Sequence, residues 1–531
     1  MSQNFPSPTP MSRRSFISKV GSVGGSAFAA MSALGLMSRA SGQGVELSGL
    51  DTIGSEKAPT VLILGAGVAG MCAAYELKKL GIKSIILEPQ AKAGGRCLTI
   101  RRGDRIVETT GAEQTCEFDE GAYFNPGPSR FPQWHITMNY CKELGVAIQP
   151  FVNLNENAFY YTEGADRGKL SGQRVRIREA KTDLRGYTAE LLAKCIDQEA
   201  LDLPMVAEDV EKLKDFLRYE GGLSRRTMSY SGHPRRGFEQ WPGGGYQEGK
   251  LADPFELVDL VQAGFGQYFH RANEYEYFSQ MFTPVGGMDK IATAFVEEVG
   301  DMIKYGCRVT EIRHRSGGGS RIIYEENGEQ KEIEGDYCIS TIPPTIMRKI
   351  QTDLPFQMTA AINIVPFQNS GKIGLQFKRR FWEEDDQVYG GISWNNLPIG
   401  EQWYPSEGFL GDKGIMGGYY IFGPTSDQVG RMTPAERTEF ALSHGEKVHP
   451  QYRAEFENAF SVNWATLPHI EGCLAHFPKT MIKTFYPQLI EGDRETFIAA
   501  SWASHIGGWQ AGAFESARLV VKKVYDRIQA A

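Results

Sequence analysis

VLILGAGVAGMCAAYELKKLGIKSIILEPQAKAGGRCLTI, the stretch from Val61 to Ile100, decides the fold. Its opening, Thr60 to Leu64, is a short apolar run that suits a strand buried in a parallel sheet. Gly65-Ala66-Gly67-Val68-Ala69-Gly70 then fits the pattern GxGxxG. From Val68 to Leu80 the apolar residues Met71, Ala74, Tyr75 and Leu77 fall at helical spacing, and Ser84 to Leu87 reads as the next strand. Together these make one βαβ unit. Gly65 permits the tight turn, and Gly67 lets the backbone approach a pyrophosphate. Gly70 lets helix and strand pack closely, and the helix N-terminus faces the anion. Glu88 ends the second strand about twenty residues on, where an acidic side chain can hold ribose hydroxyls. The unit predicts a dinucleotide site in an α/β protein.

Around it lies a chain of 531 residues with 41% hydrophobic content, too long for one compact core, so two or more domains are expected. The net charge of −7 and the lack of a clustered basic surface argue against nucleic acid as a partner. The N-terminus reads as an address. Ser12-Arg13-Arg14-Ser15-Phe16-Ile17-Ser18-Lys19 precedes a weakly apolar stretch, Val20 to Leu36, and no acidic residue occurs before Glu46. That stretch is too short and too small in its side chains to be a stable membrane anchor, and it resembles a twin-arginine export signal. The expectation is a signal peptide over 1–40, cleaved near Ala40, and a polar linker over 41–57. The export machinery would then be a partner of the precursor, and the protein, folded around its cofactor, would end in the periplasm or outside the cell. The eight cysteines are scattered and the nine histidines show no ligand spacing, so no metal and no disulfide framework are expected.

Further along, Asp183 to Tyr219 is helix-like. Gly221 to Gly249 reads as a long loop of the kind that serves as a lid or binding loop, and Phe255 to Phe278 returns to a helical, aromatic-rich pattern. A helix is expected to end at about Val299. Strands are expected over Ile303 to Ile312, Ser320 to Tyr324, Asp336 to Ile342, Lys372 to Phe377, Gly390 to Trp394 and Ile415 to Ile421. The tail reads as a strand, a glycine turn and a final helix from about Gly512.

Ala91-Lys92-Ala93-Gly94-Gly95-Arg96, just after the ribose acid, resembles the second FAD signature of the flavin amine oxidase family. The resemblance extends from about Thr60 to the C-terminus. It takes in Thr283-Pro284-Val285-Gly286-Gly287-Met288-Asp289, the strand Cys338-Ile339-Ser340-Thr341-Ile342-Pro343, and the turn Ser504-His505-Ile506-Gly507-Gly508-Trp509-Gln510-Ala511-Gly512-Ala513. It implies FAD held by Gly65, Gly67, Ala69, Gly70, Glu88, Gly95, Arg96, Val309, Ser501 and Trp509. Ser501 stands where the family usually has an acid, in the run Ala499-Ala500-Ser501-Trp502, so a hydroxyl replaces a charge. The implied architecture is a discontinuous Rossmann-type FAD-binding domain (58–125, 281–345 and 471–531). With it come a mixed-sheet substrate domain (126–182 and 346–470) and a helical insertion (183–280).

Gly127-Pro128-Ser129-Arg130-Phe131-Pro132 resembles the stretch with which L-amino-acid oxidases grip the substrate carboxylate, where a guanidinium fork suits a carboxylate. The same resemblance points to Tyr419 as a second carboxylate contact, with Tyr420 as the alternative if the alignment slips by one. It points to Trp509 as an aromatic wall, to the Gly508 carbonyl as a partner of the amine, and to Lys372 as holder of a water that assists reoxidation. Cys473 lines up roughly with a cysteine that in monoamine oxidases bonds the flavin. A cysteine packed beside a non-covalent flavin is the other reading and the favoured one. The implied reaction is oxidative deamination of an L-amino acid by hydride transfer from Cα to flavin N5. It yields a 2-oxo acid and ammonia, and O₂ becomes H₂O₂. An amino-acid 2-monooxygenase, an amine oxidase and a non-enzymatic FAD-binding protein are the alternatives, and a homodimer is compatible with all of them. Tyr219, Tyr230, Trp241, Tyr246, Phe255, Phe265, Tyr268 and Phe269 suggest bulky apolar substrates, or equally an ordinary core.

Overall fold

The computed structural model describes residues 44–54, 58–198, 205–272 and 274–530. The expected signal peptide and its cleavage site lie outside these residues, as does part of the 41–57 linker.

Five parallel strands form the first sheet, in the order Ile303–Tyr305, Lys83–Glu88, Thr60–Leu64, Tyr337–Ser340, Thr496–Ile498. Val61 to Leu64 are fully buried, which explains their unbroken apolar run: helices cover both faces of such a sheet. The helix Val68–Lys79 packs between Asp289–Val299 and the terminal helix Gln510–Ala530 through Met71, Phe295, Phe514 and Val521. Strand order reverses on either side of Thr60–Leu64, so the crevice at its carboxyl end is the place where such sheets bind ligands.

A seven-stranded mixed sheet is the second layer, in the order Phe456–Asn463, Ser370–Phe377, Gly414–Phe422, Glu401–Tyr404, Gly391–Asn395, Phe159–Tyr161, Arg174–Arg176. Every residue of Ser370–Phe377 is buried. Lys372 pairs with Tyr420 in one direction and Val462 in the other. A smaller four-stranded sheet (Glu329–Gly335, Ser320–Glu326, Cys307–His314, Gln351–Thr352) flanks the first.

The structure differs from the sequence reading in three places. The expected single strand Ile303 to Ile312 is two strands. Gly306, at φ +72°, turns the chain out of the parallel sheet after Tyr305 and into the four-stranded sheet from Cys307. The helical insertion begins earlier than expected, at Ile177, because Ile177, Ala180 and Asp183 form the buried face of the helix Ile177–Asp197; its partner, Ala207–Gly221, lies alongside. The stretch 221–249 is anchored at Tyr230 and Arg236 rather than free along its length. The fully buried Asp183 carboxylate accepts from Tyr230 Oη (2.6 Å), Arg236 Nε (3.1 Å) and the Phe255 amide (2.9 Å), pinning the segment to the insertion helix.

Candidate active site

One large cavity, of about 380 Å³, opens where the two layers meet. It runs from the Gly65–Gly70 turn and Glu88, past Arg96, to Arg130, Lys372, Tyr420 and Trp509. Gly65, Gly67, Ala69, Glu88, Gly95, Arg96, Val309, Ser501, Gly508, Trp509, Arg130 and Lys372 all line it, although they come from widely separated parts of the chain. Gly70 does not line it; its role is packing.

The glycine turn shows why each position lacks a side chain. Gly65 has φ +106°, and a Cβ on it would lie 2.6 Å from Thr341 Oγ1. A Cβ on Gly70 would lie 2.0 Å from the Gly65 carbonyl oxygen, so helix and strand could not close on one another. A Cβ on Gly67 meets no atom within 4 Å; it would project into open space beside the cavity. Glu88 accepts the Ala66 amide at 2.7 Å and the Gln90 amide at 3.0 Å, and so holds the turn from below, while burial pushes its carboxyl pKa up. The second glycine pair lies against the first: Gly94 bridges Gly67, and a Cβ on Gly95 (φ +56°) would lie 3.5 Å from Gly67 Cα.

Arg96 donates to the Cys473 carbonyl and to Ser501 Oγ (3.2 Å), and burial pulls its pKa down. Among the described residues it has no carboxylate partner. A partly buried guanidinium without a counter-ion is costly, and a diphosphate would supply the missing negative charge. The glycine cradle, the buried acid and the unpaired arginine therefore fit a flavin dinucleotide. Ser501 lines the cavity, and its contact is with Arg96. The terminal helix points its first turn, Gln510 to Ala513, at the same cavity, where its dipole favours negative charge. Cys473 also lines the cavity; burial pushes its thiol pKa up, against the effect of Arg96.

At the other end, Arg130 donates through Nε to Asn153 Oδ1 (3.1 Å) and stacks on Trp403, 4.3 Å from guanidinium carbon to ring centroid. Rings of Tyr277 and Trp509 lie 5.5 and 5.9 Å away. No carboxylate pairs with Arg130 among the described residues. Lys372 Nζ donates to the Gly127 carbonyl (2.7 Å) and to Ser129 Oγ (2.9 Å), which ties the sheet to the Gly127–Pro132 loop. It lies 4.3 Å from the Tyr420 ring centroid, and burial followed by the nearby Arg130 pulls its pKa down to about 7. Trp509 donates its indole N–H to Glu276 (2.8 Å) and packs against His135 and Tyr277.

Tyr419 needs correction. Side chains alternate along Gly414–Phe422, and Lys372 faces the cavity opposite Tyr420. Tyr419 pairs with Ile373 on the other face; its ring packs on Phe440 and it borders only a smaller adjoining cavity. Tyr420 is the cavity residue. Of the eight aromatics taken as a sign of bulky apolar substrates, none lines the cavity. Phe265, Tyr268 and Phe269 stack on Tyr160, whereas Tyr219, Trp241 and Tyr246 are exposed. The sequence reading missed Trp403, Glu401, Asn153 and Tyr277. Glu401-Gln402-Trp403-Tyr404 is a short strand of mixed polarity that carries no periodic signal.

A family profile described as flavin containing amine oxidoreductase matches residues 68–525, and the chain belongs to that family. Curated relatives include "Putative L-amino-acid oxidase YobN" of Bacillus subtilis (strain 168), 24% identical over 87% of this chain and 94% of its own length. An L-amino-acid oxidase of Vipera ammodytes ammodytes is 23% identical over 85% and 89%. Among solved structures, a triple mutant of putrescine oxidase aligns at a TM-score of 0.59 and 16% identity, covering 88% of this chain and 99% of that one. Cyclohexylamine oxidase from Brevibacterium oxydans IH-35A aligns at 0.57 and 17%, covering 89% and 99%. The fold is that of flavin amine oxidases, and the protein is a flavin-dependent oxidoreductase.

Proposed function

We propose that the chain is an FAD-dependent oxidase of L-amino acids, converting amino acid, water and O₂ to 2-oxo acid, ammonia and H₂O₂. The observation that carries this reading is Arg130: a guanidinium in the cavity, braced by Asn153 and Trp403, with no acidic partner among the described residues. A substrate carboxylate would supply that partner, whereas a simple amine would add a second positive charge. The relatives named L-amino-acid oxidase support it.

Arg130 would hold the carboxylate and so fix which face of Cα is presented. Trp509, its indole held by Glu276, would wall the reacting end, and Gly508, which lines the same cavity, would offer its carbonyl to the substrate amine. Lys372, held by Gly127 and Ser129, presents an ammonium or amine according to pH. The flavin, when bound, supplies the two-electron acceptor that is reoxidised by O₂. Such a reaction needs positioning more than a strong base, and the residues in the cavity provide positioning.

Replacing Arg130 tests the reading. Loss of a buried charge partner costs about 2–5 kcal/mol, so Arg130→Ala should lower kcat/KM for L-amino acids by on the order of 100-fold while sparing any amine turnover. Unchanged amino-acid turnover in Arg130→Ala would contradict it. The flavin is proposed to be non-covalent: acid precipitation should leave yellow colour in the supernatant, and colour retained in the pellet would point to Cys473. Export by the twin-arginine route is proposed from residues 12–19. Arg13→Lys with Arg14→Lys should trap the loaded precursor in the cytoplasm; normal export of that variant would refute it.

A further inference from the structure

Glu401 is an acidic side chain lining the substrate end of the cavity, with only 15% of its side chain exposed. One oxygen is used: Oε2 accepts the Trp403 indole N–H at 2.9 Å. The other, Oε1, lies 3.7 Å from Arg271 Nη1, beyond hydrogen-bonding distance, and Arg271 itself is 48% exposed at the cavity edge. Among the described residues the carboxylate therefore keeps one oxygen with no hydrogen-bonded cation, paired only at 3.7 Å with the half-exposed Arg271, in a pocket that also contains Tyr277 and Tyr420.

Trp403 connects this acid to Arg130. Its ring face carries the Arg130 guanidinium at 4.3 Å, and its N–H edge carries Glu401. A cation for a carboxylate and an anion for a second cation thus sit on one indole, held at a separation that this ring sets. A neutral apolar side chain entering here would displace water from Glu401 and leave it with only the loose Arg271 contact, which is unfavourable for a desolvated carboxylate. A side-chain ammonium or guanidinium would instead pair with it.

We infer that the cavity is built for L-amino acids with a cationic side chain, whose distal ammonium or guanidinium is held by Glu401 while Arg130 takes the α-carboxylate. This rests on the reading of Arg130 given above. Arg271 is then a competing cation that the substrate displaces. The idea of bulky apolar substrates loses its basis, since the aromatics that suggested it are elsewhere.

The test is steady-state kcat/KM on the flavin-loaded enzyme with L-lysine, L-arginine and L-ornithine against L-leucine and L-phenylalanine, for wild type, Glu401→Gln and Arg271→Ala. A charge-assisted hydrogen bond is worth about 1.5–3 kcal/mol, so the ratio of basic to apolar kcat/KM should fall roughly 10- to 100-fold in Glu401→Gln, mainly through KM. Gln keeps the shape and can still accept from Trp403, and the bound-flavin spectrum reports that the variant is folded. Arg271→Ala should lower KM for the basic substrates. Wild-type preference for L-leucine or L-phenylalanine, or an unchanged ratio in Glu401→Gln, overturns this inference and leaves the amino-acid oxidase reading standing. Turnover of amines alone, with no L-amino acid oxidised, overturns both.

Discussion

Lys372 shows how much one residue's setting matters. On a strand it would read as a solvated lysine, yet it is buried against Tyr420 and Trp403 and its pKa is drawn down to about 7. Below that pH it is an ammonium; above it, an amine. A positive charge favours electron transfer to O₂. Reoxidation of the reduced, substrate-free enzyme should therefore slow as pH rises through about 7, and Lys372→Met should be slower and lose that inflection, as stopped-flow mixing with O₂ would show. Folding responds in the opposite sense. The unfolded lysine keeps its proton up to about its ordinary 10.5, so between about 7 and 10.5 the unfolded chain binds more protons and stability rises with pH. Tyr419 marks the limit of sequence reading at this scale. In the run Gly417-Gly418-Tyr419-Tyr420 either tyrosine could face the site, and only the pairing of Lys372 with Tyr420 decides it.

Among elements, the Thr60–Glu88 unit was fully legible, because glycine spacing, the apolar strand and the terminal acid all reflect the same geometry. Its glycines make different predictions. Gly67→Ala adds a methyl to open space beside the cavity, so the protein should fold with unchanged apo stability and hold less flavin. Gly70→Ala drives a methyl onto the Gly65 carbonyl, so it should lose about 1–3 kcal/mol in denaturant unfolding of the apo protein as well as flavin. Equal apo stability in the two variants would contradict this. Elements with weak patterning were missed. Glu329–Gly335 is an exposed polar strand, and Glu401–Tyr404 mixes polar and aromatic residues on four positions. Tertiary pairing makes both into strands, and the second carries Trp403 and Glu401 into the site.

For the molecule as a whole, the resemblance to one family pointed to the fold class that the structure has, but it could not say which side chains cross between layers. The buried pair Glu108–Arg437 is one that does. It joins a turn after the FAD signature to the helix Pro434–Val448 behind the seven-stranded sheet, with Arg437 also donating to the Val429 and Gly430 carbonyls. Removing one member leaves the other charge buried, so Glu108→Gln should cost about 3–5 kcal/mol and lower the melting temperature, with little change in the substrate preference of the protein that remains folded. A stability equal to that of the parent would show that the pair does not hold the layers together.

The most direct test of the central claim is anaerobic mixing of the purified yellow protein with L-amino acids, D-amino acids and amines, followed by admission of air and a peroxide assay. The account predicts bleaching of the flavin absorbance by L-amino acids, basic ones foremost, and H₂O₂ on reoxidation. Bleaching by amines alone would contradict it, and would mean that Arg130 does not bind a substrate carboxylate.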